Sequence, residues 1–197
     1  GQDTLGLGWA LGYQTVSAVV GHDFGSSVAG CCALIRPDVF RSVVMMSAPF
    51  TGAPAFVNDE ANKDPRLPYA PATKGKDIHA ALAELTPPRK HYQWYYSTPD
   101  ANANMWRSPD GVHAFLRAYY HHKSADWKLN QPFKLNAWRA KDLAQLPRYY
   151  IMDLDQGMAE TVAPEMPSAK HIASCRWLTE DELSHYSRTY EATGFQG

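Results

Sequence analysis

Residues 19–25 read Val-Val-Gly-His-Asp-Phe-Gly, and the carboxylate at their centre is the group best placed to do chemistry. An apolar run, Val16 to Val20, meets Gly21. Asp23 follows two residues later and Gly25 two after that, and then Ser26-Ser27-Val28-Ala29 opens a helical pattern. Strand, cramped turn and helix are the parts of a nucleophile elbow, in which one side chain is lifted clear of the sheet beside backbone N–H groups. Glycine is expected at both Gly21 and Gly25, because a side chain at either would collide with the neighbouring strand or helix. A serine at such a turn needs a base before it attacks. An aspartate is already ionised at neutral pH. It suits displacement at an sp3 carbon bearing a good or strained leaving group, which forms an alkyl ester of Asp23. Hydrolysis of that ester requires a histidine base with an acid behind it, and the backbone N–H of Phe24 is placed to steady the tetrahedral intermediate. The competing reading is an aspartate that caps the following helix.

The elements around this turn follow from periodicity and punctuation. Residues 4–12 read as a helix tail ending near Gly12, and residues 14–20 as a buried strand. Residues 24–36 read as a helix with Val28, Cys31, Cys32 and Ile35 on its apolar face, stopped by Pro37. A second apolar run at residues 41–48 completes a βαβ unit, so the two strands are expected to be parallel. Residues 51–75, with Gly52, Pro54, Pro65, Pro68, Pro71 and Gly75, read as a long excursion. Beyond it, residues 77–86 are expected to be helical, with Ile78, Leu82 and Leu85 on one face and Pro87-Pro88 as the stop. An aromatic run covers residues 89–97, a helix carrying Phe115, Leu116 and Tyr119 covers residues 111–123, and a proline-containing stretch covers residues 147–167. The last helix opens on Thr179-Glu180-Asp181-Glu182, a capping box. It carries Leu183, Tyr186 and Tyr190 in one stripe and ends near Gly194. No strand pattern is strong after residue 50, so this region reads as a helical lid over a parallel sheet.

Composition sets the bounds. The chain has 197 residues, 45% of them hydrophobic, with 19 basic and 20 acidic side chains and a net charge of −1. That balance gives no reason to expect nucleic acid or an anionic membrane as partner. No apolar run is long enough for a membrane-spanning helix, and no secretory signal is visible. Three cysteines make no disulfide framework. Cys31 and Cys32 read as small core residues, and a reducing, cytoplasmic setting is expected. Adjacent histidines on a helix diverge, so His121-His122 with His113 gives no metal spacing. Neither a metal nor a cofactor is expected.

The elbow, together with Arg36-Pro37-Asp38-Val39-Phe40, Met46-Ser47-Ala48-Pro49-Phe50, Tyr92-Gln93-Trp94-Tyr95-Tyr96 and Thr193-Gly194-Phe195-Gln196-Gly197, resembles the epoxide hydrolase branch of the α/β-hydrolases. The resemblance implies a partial α/β-hydrolase core at residues 1–50, a mainly helical cap at residues 51–190 and the start of a return to the core at residues 191–197. It implies Asp23 as nucleophile, Phe24 as backbone oxyanion donor, and Tyr92 and Tyr186 as phenols that hydrogen-bond the epoxide oxygen as the ring opens. Trp94 is expected at the substrate. Paired phenols would supply a proton to the leaving alkoxide without charge. The implied partners are a small, bulky apolar epoxide and water, and the product a vicinal diol. Phe24 stands where the family usually has tryptophan, which bears on the shape of the substrate pocket.

The same resemblance implies groups not found among these residues. These are a His-Gly-x-Pro turn with a second oxyanion donor, and an acid and a base histidine on two later strands. His22 adjoins the nucleophile but leaves the turn in another direction, and His185 faces about 100° away from Tyr186 around its helix. The expectation is therefore an incomplete catalytic set and a chain inactive by itself. A haloalkane dehalogenase is the alternative enzyme, disfavoured because the Phe24 side chain cannot donate to a halide. A truncated or degenerate hydrolase that keeps only a ligand pocket is the non-catalytic alternative.

Overall fold

The structure, a computed structural model, describes residues 2–50, 52 and 77–196. The chain divides into two units, Gly1–Gly75 and Lys76–Gly197. The excursion expected at residues 51–75 lies, apart from Gly52, outside the described residues.

In the first unit, helix α1 (Gln2–Ala10) is followed by strand β1 (Val19–His22), helix α2 (Phe24–Ile35) and strand β2 (Val43–Met46). β1 and β2 pair in parallel, with Val19 opposite Val43 and His22 opposite Met46, as the βαβ reading requires. A further parallel bridge joins Val16 to Phe40. Gly12 takes a positive φ of 82° just past α1, and Pro37 lies just beyond the end of α2.

Two expectations about burial are corrected here. The strand at residues 14–20 is not buried: Val20 is 58% exposed, and all four residues of β2 are exposed. A parallel pair buries its side chains only where both faces are covered, and α2 is the helix packed on these strands. The buried side of α2 is also not its large apolar side. Ser26, Ala29, Gly30 and Cys32 are buried, whereas Val28 is exposed and Ile35 is 71% exposed. Small residues let the helix approach closely. A Cβ on Gly30 would stand 2.7 Å from the Phe50 ring. Cys32, Val39 and Phe40 form the buried cluster of this unit, with Leu5, Val16, Val19 and Ala33 against it.

The second unit is mainly helical. Its elements are α3 (Ile78–Ala83), β3 (Arg89–His91), α4 (Tyr92–Tyr96), α5 (Pro99–Trp106), α6 (Gly111–Lys123), α7 (Ala140–Leu143), β4 (Ile151–Asp153), α8 (Met158–Val162), a 3-10 turn (Ala163–Glu165), α9 (Ala169–Ser174) and α10 (Glu180–Thr193). β3 and β4 form an antiparallel ladder that the sequence did not announce. Arg89 and Asp153 face each other in it and pair at 2.8 Å. Lys90, nearly buried in the same strand, donates to the Leu154 carbonyl at 2.9 Å and lies over the Tyr95 ring. Burial holds its pKa below the ordinary lysine value, against the pull of Asp155 and Glu160.

The last helix of the second unit starts where its cap dictates. Thr179 Oγ1 accepts the Glu182 N–H at 3.3 Å, and the Glu182 carboxylate accepts the Thr179 N–H at 2.7 Å, which closes the capping box of α10. Gly194, at φ 69°, ends that helix. Asn102 Oδ1 then accepts the Phe195 N–H at 2.7 Å. This leaves Phe195 stacked on Tyr190 and edge-on to Phe115. The main core joins Phe115, Leu116, Met152, Met158, Val162 and Leu183, among others. A smaller cluster of Leu82, Leu143 and Ile151 takes Ile78 from α3 and Leu85 just beyond its end.

Candidate active site

At the strand–helix turn the backbone passes through Asp23 with φ 55° and ψ −122°. A non-glycine residue at positive φ carries a cost of about 1–3 kcal/mol, and such residues collect at functional sites. The turn is held from three sides. Asp23 N–H donates to the Met46 carbonyl at 3.0 Å, and Ser26 N–H donates to the Asp23 carbonyl at 3.0 Å. The fully buried Ser26 hydroxyl lies 2.9 Å from the Gly21 carbonyl and 2.7 Å from the Met46 carbonyl as donor, and accepts the Met46 N–H at 3.1 Å. One small side chain thus ties both strand ends to the first turn of α2. Its role went unread in the sequence, where the only signal was a hydroxyl three residues after Asp23.

Asp23 is exposed, and its side chain accepts no capping hydrogen bond from α2. The helix-cap reading of this residue therefore does not describe the geometry. Phe24, the first residue of α2, contributes an N–H that has no acceptor within the helix. Its ring is exposed. Of the two glycines, Gly21 is sterically required: a Cβ there would stand 2.0 Å from the Gly25 carbonyl oxygen. Gly25 is not, because a Cβ there meets nothing within 4 Å. The expected collision at Gly25 is corrected accordingly. The crowding is one-sided, with the strand glycine pressed against the backbone of residue 25. His22 is the only histidine among residues 1–75, and its side chain is exposed.

In the second unit, Tyr92 opens α4, with its N–H donating to the Tyr150 carbonyl at 2.9 Å. Its ring stacks on His91 at 5.1 Å and meets Tyr96 edge-on at 5.6 Å. Tyr186, on α10, is 46% exposed, and its ring lies 6.0 Å from Tyr120. An unbroken array joins the two residues. Tyr96 and Tyr119 share a hydroxyl–hydroxyl hydrogen bond at 3.3 Å, and Tyr119 packs edge-on against Tyr120 at 5.9 Å. Burial, reinforced by Tyr119, pushes the Tyr96 phenol far above its ordinary pKa. Burial beside Tyr190, Tyr186 and Tyr119 pushes Tyr120 up to about 12. These inner phenols therefore stay neutral across physiological pH. They face a cavity of about 610 Å³ whose wall also includes Phe115, Tyr190 and Phe195.

Trp94 sits apart from this array. It follows Tyr92 by two residues, which turns it to the far side of α4, and its half-exposed ring lies 6.0 Å from His79. His113 is drawn into a polar staple between α6 and α10. It lies 3.0 Å from Glu180 through Nε2 and 3.1 Å from Ser187 Oγ through Nδ1. Ser187 is buried and donates back to the Leu183 carbonyl, so the group ties helices together and offers no open nucleophile. Among the described residues no group of three His, Cys, Asp or Glu is disposed to hold a metal ion, and no helix is long and apolar enough to cross a membrane.

No protein-family model matches the chain, and no curated protein matches it in sequence. Among solved structures, the chain is similar to the crystal structure of Epoxide Hydrolase A from Mycobacterium thermoresistibile, with 23% sequence identity and a TM-score of 0.57. The match covers 98% of this chain and 47% of that one, so the chain spans about half the length of that protein. At this identity the likeness bears on the fold, a mixed α/β arrangement laid out as half of that structure. At that level it agrees with the α/β fold class read from the sequence.

Proposed function

We propose that the chain carries the ring-opening half of an epoxide hydrolase reaction. In this reading an Asp23 carboxylate oxygen attacks one epoxide carbon, the bond from that carbon to the ring oxygen breaks, and an ester of Asp23 forms. The departing oxygen takes a proton from Tyr92 or Tyr186, whose phenols make the leaving group a neutral alcohol. Water then cleaves the ester at its carbonyl, with the Phe24 N–H steadying the oxyanion and a base supplied from outside residues 1–197. The observation that carries the reading is the backbone of Asp23. It is strained at positive φ, pinned through Ser26, and presents a carboxylate that caps nothing. The fold shared with half of an epoxide hydrolase supports it, as does the tyrosine array joining the two candidate donors.

The test is covalent trapping. Incubated with styrene oxide, the 197-residue chain gains the mass of one epoxide on the peptide containing Asp23, and the adduct persists because the ester is not turned over. The Asp23→Asn chain gains nothing at that peptide. Absence of the adduct from the unsubstituted chain, or its appearance in the variant, overturns the proposal.

A further inference from the structure

A second cavity, of about 360 Å³, lies in the Lys76–Gly197 unit between the end of α6, α9 and the segment after it, among residues the reaction does not use. Its polar wall is basic. His121 and His171 stack with their ring centroids 6.4 Å apart, and Arg117 and Arg176 stand beside them. Its apolar wall is Ile172, Pro167 and the half-exposed Trp177.

Each acid near this site accepts a hydrogen bond that orients its carboxylate without removing its charge. Asp126 accepts the Trp177 indole N–H at 2.7 Å, and Glu180 accepts from Arg117. Glu165 accepts the Trp127 indole N–H at 2.7 Å. Arg176 has no ion-pair partner among the described residues, and neither has His171. Arg117 is only 4% exposed, and although one of its terminal nitrogens donates to the Leu178 carbonyl at 3.0 Å, its Nε has no hydrogen-bond partner. An unpaired donor on a buried guanidinium is costly to leave unmade. Among the described residues no third metal-ligating group completes a set with the two histidines. The surplus is therefore of donors, arranged against an apolar wall.

We infer that this cavity is a binding site for a small organic anion, with an oxyanion head held by His121, His171 and Arg176 beside the unpartnered Nε of Arg117, and an apolar body against Trp177 and Ile172. A planar carboxylate and a phosphate share that head chemistry. Binding is linked to protons. Burial holds the pKa of His121 below the ordinary histidine value; His171 and Arg117 push it lower, and Asp126 and Glu165 pull it up. An anion beside His121 favours its charged form, so it binds more tightly as pH falls. Each pKa unit that the anion restores is worth about tenfold in affinity.

Calorimetric titration of the whole chain with benzoate, phenyl phosphate and benzamide at pH 6 and pH 8 tests this. One saturable site is expected for benzoate or phenyl phosphate and none for the neutral amide; benzoate, whose own charge is constant over this range, is expected to bind roughly tenfold more tightly at pH 6. The better of the two anions identifies the head. Arg176→Ala and His171→Ala replace exposed residues and leave the fold intact; each is expected to weaken binding about tenfold or more, with Asp23 alkylation unchanged. Saturable binding of neither anion, benzamide binding as tightly as benzoate, or undiminished binding in both variants overturns the inference. Because alkylation at Asp23 is read separately, failure of this site and failure of the epoxide reading are distinguishable.

Discussion

Replacing Gly21 with alanine should break the elbow, and the same change four residues later should not. The Gly21 methyl would stand 2.0 Å from the Gly25 carbonyl oxygen, 2.3 Å from its carbon and 2.6 Å from the Ser26 nitrogen. A carbon ordinarily approaches a carbonyl oxygen to about 3.3 Å, so the backbone must part by more than ~1 Å. Flexible side-chain tips could yield that distance; here every obstacle is main chain. The first turn of α2 is also bound to both strands through Ser26. Overpacking of this kind costs about 1–3 kcal/mol, and the upper part of that range is expected. Gly25→Ala meets open space, and Gly25 is not at positive φ, so replacing a helical glycine should gain about 0.5–1 kcal/mol. Hydrogen exchange of peptides covering residues 14–47 reads both effects. Opening at the cost of 2–3 kcal/mol less corresponds to exchange faster by about 30- to 150-fold in Gly21→Ala, and adduct formation at Asp23 should fall with it. Gly25→Ala should exchange no faster than the parent and alkylate normally. If Gly21→Ala matches the parent in exchange and alkylation, or if Gly25→Ala is the disruptive change, the close-approach argument is wrong.

Other perturbations separate catalysis from packing. Tyr92→Phe combined with Tyr186→Phe should slow styrene oxide alkylation by about 10²-fold or more while thermal unfolding stays within a few degrees of the parent; an unchanged rate removes both phenols from the mechanism. His122 is buried against Trp127 and Tyr149, and burial lowers its pKa to about 4. The unfolded chain therefore takes up a proton near pH 6.5 that the folded chain refuses. Stability from this residue is complete above pH 6.5 and declines toward pH 4, by about 3 kcal/mol at most. Unfolding of the second unit at pH 7 and pH 4.5 should show the decline, and His122→Phe should flatten it. Thr179→Ala removes the side-chain half of the α10 capping box and should cost about 1 kcal/mol, read as a lower denaturation midpoint with an unchanged slope.

What was legible in the sequence tracks how local the determinant is. α6 runs over residues 111–123 and α10 opens at its capping box as read, because each is fixed by signals within its own turn. The sharp turn at Asp23 was legible for the same reason, in Gly21 two residues before it; the positive φ of Asp23 itself was not read. The buried face of α2 was not. Hydrophobic periodicity weighs large side chains, whereas close approach to the sheet and to Phe50 selects Ser26, Ala29 and Gly30. The β3–β4 ladder escaped because its strands are three residues long, one of them is Arg-Lys-His, and the partners lie about sixty residues apart. The tyrosine array depends on such distant contacts too: the Tyr96–Tyr119 hydrogen bond and the Tyr120–Tyr186 packing join α4, α6 and α10, and no spacing within any one of these helices implies them.

The two units should also differ in how they come apart. The first rests on a two-stranded parallel pair whose β2 residues are all exposed, with a buried cluster of Cys32, Val39 and Phe40. A two-stranded ladder is marginal in water without broad apolar cover. The second unit closes around Phe115, Leu116, Met152, Met158, Val162 and Leu183, with tyrosines packed over them and α10 capped at its start. Local stability follows buried apolar area, so peptides from β1, α2 and β2 should exchange at lower denaturant than those from α6 and α10, in a separate step. The strain at Asp23 is then held by the weaker unit, through Ser26, the Gly21 contact and the Asp23 N–H bond to the Met46 carbonyl. Anything that covers Val20 and Val43–Met46 should slow exchange at residues 19–26 and raise the alkylation rate together, because both depend on how long the elbow stays closed. A single cooperative step for the whole chain, or earlier opening of α6 and α10, would refute this assignment.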